Sequence, residues 1–473
     1  MVVRGVPTKL ARDAWWLDDS TSAPRWLLGA LLLGCIALAD HMFWMAAPGL
    51  GVAVWIVAVA AAVHITFWVD VDRWRGLRAW GLLLAALIPL IEVLQVTSIL
   101  ISALGLAAFA VLMVLSRWDV QLLLVAMGRL PFAGIAQVVR DARSLRMLAP
   151  SKGAMRGVFF DWALPLGVGS VFVVLMASAN PVVDRWLVQL ARFETDMSID
   201  VTRVLFWGLV ALCIWPFLRL PQMVSRLTHI PATRPGMWRS GLINERSALR
   251  ALVVFNAIFA VQSLLDVSYL WGSVALPEGM SYAQYAHRGA YPLVVTALLA
   301  GVFALLLQPF LEGRPALRAL LYAWIAQNIL LVVSSILRLD LYIDAYHLTR
   351  LRFAALIWMV VVALGLVLMI MQMIRHAPIG WFMLRAAGLG LVAVYACALV
   401  NVDGLIARTN LAQPDPDMSY LCALSEGAAP ALHAAGHICN SGKPIVIAPA
   451  DWREWGYRNA RLRRSLAQME VAR

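Results

Sequence analysis

The chain has 473 residues, 62% of them hydrophobic and 14% charged. An ordinary soluble domain carries charge on about a quarter of its residues. There is too little polar material here to coat a water-soluble surface, so a bilayer has to cover much of the molecule. The net charge of +12, from 39 Lys+Arg against 27 Asp+Glu, sits mostly in short segments between apolar runs, and no basic, aromatic-interleaved surface for nucleic acid is visible. Such a distribution is a topology signal.

Residues 1–25 form a polar leader with charges of both signs and are expected in the cytoplasm. No small-residue cleavage site follows the first apolar run, so no cleavable signal peptide is expected. A helix needs roughly 20 apolar residues to cross the hydrocarbon core. Eleven runs meet this: 26–45, 49–69, 79–96, 98–115, 158–178, 201–218, 251–272, 289–308, 319–337, 353–373 and 380–400. The fold class is therefore an all-α polytopic membrane helix bundle over residues 26–400, with tight hairpins near Pro48 and Thr97.

The connecting segments alternate in charge. Residues 70–78 ("DVDRWRGLR"), 117–156, 219–250 and 312–318 are basic on balance, and the intervening loops are neutral or mixed. The Lys/Arg bias puts the N-terminus and these segments in the cytoplasm. An odd span count then puts a small tail, residues 401–473, outside, although its end, "WREWGYRNARLRR", is basic. The segment 117–156 opens apolar, but Arg129 and Pro131 interrupt it. It is expected to be too broken to span and to lie as an amphipathic helix at the cytoplasmic interface. No repeat of 20–50 residues is visible.

An ionisable side chain at bilayer depth is costly and usually faces the bundle interior or a water-filled cavity. Asp40 and His41 end the first span and His64 lies in the second. Glu92 follows Pro89 in "LIPLIEVLQV". Gln262, Asp266 and Tyr269 share one helix face, and Gln327 and Asn328 mark the ninth span. With the topology above, Glu92, Gln262, Asp266, His287, Arg288, Arg338, Asp340, Asp344 and Arg350, with Arg352, all fall toward the outer side. They are the candidate functional cluster. The competing reading is structural, since helix-end charges pair or snorkel and polar groups within spans link neighbouring helices.

The stretch "LPEGMSYAQYAHRGAYPL" (276–293) is expected to be an ordered outer re-entry element. Tyr282, Tyr285 and Tyr291 suit an interfacial belt. Ser281 and Gln284 have the spacing of a helix cap. His287 and Arg288 open the next span, where an Arg can turn back to neutralise Asp266.

Five cysteines are present. Cys35, Cys213 and Cys397 fall within spans, whereas Cys422 and Cys439 lie in the tail and can form a disulfide if the tail meets an oxidising compartment. In the alternative, His433, His437 and Cys439 of "HAAGHIC" join Cys422 in a tetrahedral metal site. That spacing matches no familiar zinc pattern, so no metal and no cofactor is expected. Nucleotide-loop, nucleophile-elbow and H-E-x-x-H motifs are absent.

Several stretches taken jointly resemble a polytopic bacterial inner-membrane family known only as a domain of unknown function, the 4173/4153 type. They are "SANPVVDRW", "ERSALRALVVFNAIFAVQSLLDVSYLWG", "LPEGMSYAQYAHRGAYPL", "LDLYIDAYHLTRLRFAALIWMVVVALGL", "NVDGLIARTNL", "DMSYLCALSEGAAPAL" and "DWREWGYRNARLRR". The resemblance runs from about residue 158 to near the end of the chain. It implies a multi-pass protein of the bacterial cytoplasmic membrane and supplies no activity, cofactor or catalytic residue, and it does not extend to the Cys422–Cys439 pair.

Three functions follow, in order. The first is a non-enzymatic envelope protein that senses, scaffolds or binds a protein partner through its outer loops and tail. The second is a proton-coupled secondary transporter using buried Glu92 and Asp266. The third is a membrane transferase acting from the outer side on a lipid-linked substrate, with a carboxylate as base. For that reading, Asp40 is similar in position to the acidic residue that membrane glycosyltransferases place near the first outer loop.

Overall fold

The computed structural model describes residues 24–67, 73–115, 119–147, 200–223, 245–268, 296, 299–307, 311, 313–436, 439 and 446–471. Among them every regular element is helical and no strand occurs. Among the described residues nine helices are long and apolar enough to cross a membrane, and all but one of these coincide with expected spans. The expected span 158–178 and half of 289–308 lie outside the described residues. The chain divides into two compact units, the first built from the N-terminal helices plus residues 450–455, the second from 95–98, 231–449 and 456–473.

In the first unit, α1 (Arg25–Phe43), α2 (Leu50–Thr66), α3 (Arg73–Glu92) and α4 (Val96–Val114) run alternately up and down. Cross-contacts fix the register. The Trp55 indole donates to the Cys35 carbonyl at 3.2 Å, and His64 meets Trp80 with ring centroids 6.2 Å apart. Between α3 and α4, the Ser102 hydroxyl donates to the Ala86 carbonyl at 3.2 Å, Trp80 packs edge-on against Phe109, and Arg75 donates to the Leu115 carbonyl. The two tight hairpins expected near Pro48 and Thr97 therefore join separate helices, although α2, at 17 residues, is shorter than the nine and is not counted among them. Pro89 is absorbed within α3.

The helix α6 (Val201–Leu218) runs antiparallel to α1, because Arg203 near its start pairs with Asp40 near the end of α1. The sequence reading is corrected at α5 (Val120–Met147). Arg129 and Pro131 do not break it, and its portion Leu122–Ala142 is itself apolar and long enough to span. Proline's fixed φ is compatible with helix, and continuing through it costs about 3 kcal/mol, from a lost backbone hydrogen bond and the crowding of its ring against the carbonyl four residues back. Contacts fix where the two ends of α5 lie. It starts just after α4 finishes, yet its far part meets the finishing end of α6, where Asp141 pairs with Arg219 at 3.1 Å and accepts from the Trp215 indole at 2.9 Å. By the alternation above, both places are at the same end of this unit. A helix of this length, about 42 Å at 1.5 Å per residue, therefore runs across that end of the unit.

In the second unit, α7 (Glu245–Asp266) and α8 (Pro315–Tyr346) are parallel. Asn256 donates to the Leu320 carbonyl at 3.0 Å, Phe255 stacks on Trp324, and Asp266 meets Arg338, so both sequences advance together. Helical residues 299–307 lie against this pair through Phe303, which touches Phe255 and Trp324. α9 (Arg350–Ile374) and α10 (Ile379–Leu399) return and advance again through short turns. Outward faces stay apolar: Val253, Val254, Ile258, Val261 and Leu264 of α7 are all exposed. A helix that is apolar all round is stable only in a core or in lipid. Beyond α10 come short helices α11 (Val402–Leu411), α12 (Met418–Cys422), α13 (Ala429–Ala434) and α14 (Tyr457–Val471).

Candidate functional site

The buried charge of the second unit lies on the seam between α7 and α8. Gln262 and Asp266 are one turn apart on α7, and the Gln262 amide donates to the Asp266 carboxylate at 2.9 Å. Arg338 of α8 donates to the same oxygen. Asp266 is 0% exposed and Arg338 3% exposed, so the pair is removed from solvent almost completely. A lone charge there would be prohibitive, and each group is tolerable because the other is present.

The grouping of outer residues needs correction at Arg338, Asp340 and Asp344. α8 does not end near 337 but continues unbroken to Tyr346. "LRLDLYIDAY" contains neither Gly nor Pro, and its buried Leu339 and Ile343 keep the helical spacing. Arg338 therefore points into the bundle. Asp340 and Asp344 are exposed on the opposite face of α8 and do not join the Asp266 pair. Glu92 is buried at the end of α3, in the other unit. His287 and Arg288 lie outside the described residues; the described partner of Asp266 is Arg338.

Arg350 belongs to a second arrangement, made where the tail folds back on the α8–α9 turn. Its guanidinium forks onto Asp403, Nε to Oδ1 at 2.7 Å and Nη2 to Oδ2 at 2.5 Å. Such bidentate pairs combine charge with fixed geometry. Asp403 also accepts from the Ser425 amide at 2.9 Å and from the Ser425 hydroxyl. Burial pushes the Asp403 carboxyl up, but the bonds from Arg350 and Ser425 outweigh it and hold the group below the ordinary carboxylate range.

Asn410 grips the turn from the other side. Its Oδ1 accepts from the Leu348 amide at 2.8 Å and its Nδ2 donates to the Leu348 carbonyl at 2.9 Å. Asn401 caps α11 by accepting from the Gly404 amide, and donates to the Gly427 carbonyl at 2.9 Å. A Cβ at Gly404 or Gly427 would come within 2.4 Å or 2.2 Å of that Asn401 side chain, so a larger residue at either would push the Asn401 amide out of its bonds. The Tyr420 hydroxyl accepts from the Arg350 amide at 3.0 Å. Arg352 donates to the last carbonyls of α8, at Tyr346 and His347, while its guanidinium lies over the Tyr342 ring.

Cys422 and Cys439 are joined as a disulfide with Cα atoms 5.7 Å apart. Neither thiolate is then available to a metal, and among the described residues no group of three or more His, Cys, Asp and Glu could hold one. His437 of that alternative lies outside the described residues.

In the first unit, Arg203 forks onto Asp40, Nε to Oδ1 at 2.8 Å and Nη2 to Oδ2 at 2.5 Å, and the Trp207 indole donates to Oδ1 at 2.8 Å. The guanidinium also lies 5.6 Å from the ring centroids of Trp44 and Trp207. A carboxylate so occupied is a poor general base. The tail returns to this unit at residues 450–455. There the Glu454 carboxylate accepts from the Ala47 and Ala450 amides at 3.0 and 2.9 Å, and these bonds hold it below its ordinary range.

The sequence reading missed Asp403, Asn410, Asn401 and Ser425. The first three stand in the stretch "NVDGLIARTNL". Polar residues so frequent in a short, partly apolar helix are the signal that could have found them.

Residues 79–435 match the family described as "Domain of unknown function (DUF4153)". The chain belongs to that family. No curated protein matches the chain, and neither does any solved structure. The DUF4153 region takes in both the Asp266–Arg338 seam and the Arg350–Asp403 clamp. It excludes α1, α2, Cys439 and residues 450–455. The chain is thus an integral, multi-pass membrane protein with a DUF4153 core.

Proposed function

We propose that this DUF4153 protein sits in the bacterial cytoplasmic membrane with its N-terminus inside and its tail outside, and acts as a non-enzymatic scaffold that binds an envelope protein through that tail. The observation that carries this reading is the cap itself. Residues 401–436 are ordered and clamped onto the α8–α9 turn by Arg350–Asp403 and Asn410–Leu348, and Cys422 is tied to Cys439. A disulfide persists in an oxidising compartment, which supports an extracytoplasmic tail. The parallel course of α7 and α8 supports the same alternation, since the chain has to cross back between them. Two of the three carboxylates named for the chemical alternatives are spoken for: Asp40 by Arg203 and Trp207, Asp266 by Arg338 and Gln262.

Orientation is tested by thiol labelling in spheroplasts. Ala412→Cys, on the exposed cap, should react with a membrane-impermeant maleimide without permeabilisation. Ala316→Cys, at the start of α8, should react only after it. The reverse pattern would overturn the orientation. The scaffold role is tested by in-cell crosslinking from the cap: a specific crosslinked protein should be recovered, and lost when the chain is truncated after Val400. Recovery of no protein from the intact chain would count against the role.

A further inference from the structure

Besides the paired charges, the α7–α8 seam holds buried polar atoms that no group among the described residues satisfies. These are Ser263 Oγ on α7, and Trp324 Nε1, Gln327 Oε1, Asn328 Oδ1 and Ser334 Oγ on α8. Asn328 is 0% exposed, Ser334 1% and Trp324 3%. On α8 these four and Arg338 fall within about a third of the helix circumference at 3.6 residues per turn. They extend from Trp324 to Arg338, about 21 Å of helix at 1.5 Å per residue. Because α7 and α8 are parallel, Ser263 and Ser334 each lie about one turn inward of the Asp266–Arg338 pair.

Unsatisfied buried polar groups are rare, and several along one seam need an explanation. From this row of atoms we infer that the α7–α8 seam binds a file of water molecules that leads from Trp324 to the inner side of the Asp266–Arg338 pair. The chemistry of the row selects the guest. Amide oxygens only accept, the indole N–H only donates, and hydroxyls do either. A cation is opposed by the indole N–H and the Arg338 guanidinium, and an anion by the amide oxygens and Asp266. Water alone answers both kinds of partner, and each molecule of the file draws its two to four bonds from the row together with the waters on either side. The file gives the ion pair a polar surrounding that the apolar flanks of both helices deny it. This inference is independent of the scaffold role and of the orientation.

Hydroxyl-radical footprinting by brief X-ray irradiation tests it on the full chain in lipid nanodiscs, with oxidation read by mass spectrometry. Internal water generates radicals in place, so buried side chains beside it are oxidised and dry ones are not. Leu331, 2% exposed and on the seam, is compared with Leu83 and Leu87, 0% and 2% exposed in the core of the first unit. Leu331 should be oxidised several-fold faster than either. Equal rates would overturn the inference. In Asn328→Leu with Ser334→Ala, the rate at Leu331 should fall to that of Leu83, and thermal stability should not rise. A marked rise would show that the wild-type seam is dry, because removing unsatisfied buried groups relieves their penalty. If that variant fails to fold, the wild-type comparison decides alone.

Discussion

Asp266→Asn isolates the cost of a buried charge. The substitution keeps the shape of the side chain and an acceptor for Gln262 and Arg338, and removes only the negative charge. Arg338, 3% exposed, loses the negative charge of Asp266. Removing one partner of a buried pair costs about 3–5 kcal/mol, which is about two to nearly four factors of ten in the folding equilibrium at 1.4 kcal/mol per decade. Replacing both partners by apolar residues, Asp266→Leu with Arg338→Met, avoids the orphaned charge and should be near neutral or stabilising by about 1–4 kcal/mol. The assay is reversible unfolding of the purified protein in mixed micelles by titration with a denaturing detergent. Asp344→Asn, at an exposed position on the same helix, serves as control and should shift the midpoint little. The reasoning fails if Asp266→Asn costs no more than Asp344→Asn, or if the double variant is as damaged as the single one.

Other predictions concern the cap and the returning tail. Cys422→Ser should destabilise the cap by about 3 kcal/mol in the chain-entropy description of a loop of this length; a thiol-reactive gel shift should report a newly free Cys439, and limited proteolysis should cut the tail sooner. The Asp403 carboxyl is held below its ordinary value, so the folded state binds fewer protons there than the unfolded one and stability rises with pH. Its contribution is complete above the unfolded value of about 3.9 and is lost as pH falls through the lower folded value. Hydrogen exchange of residues 401–436 should therefore stay slow at neutral pH and quicken only in strong acid, whereas Asp403→Asn should quicken it at neutral pH and flatten that acid response. Gly49→Ala should release residues 450–455, because a Cβ there would lie 2.5 Å from the Glu454 carbonyl carbon; faster protease cleavage within that segment, with unchanged insertion into the membrane, is the expected result.

Composition and run length by themselves determined that this is an all-helical membrane protein, and where most of its helices run. The reason is physical: without water in the hydrocarbon core, backbone groups must bond within the segment, so a long apolar run has essentially one solution. The tight hairpins were legible for the same reason. The continuity of α5 through Pro131 and of α8 through Arg338 was not, because charge and proline mark helix ends only on average. Tertiary contacts override that tendency, as when Arg338 finds Asp266 and Asp141 finds Arg219. Which charges join was decided by tertiary structure alone. Asp266 and Arg338 are remote in sequence, and so are Arg350 and Asp403. Nothing local in the chain distinguishes these partners from Asp340, Asp344 or Arg352. Only the parallel course of α7 and α8, and the fold-back of the tail onto the α8–α9 turn, brings each carboxylate to its guanidinium.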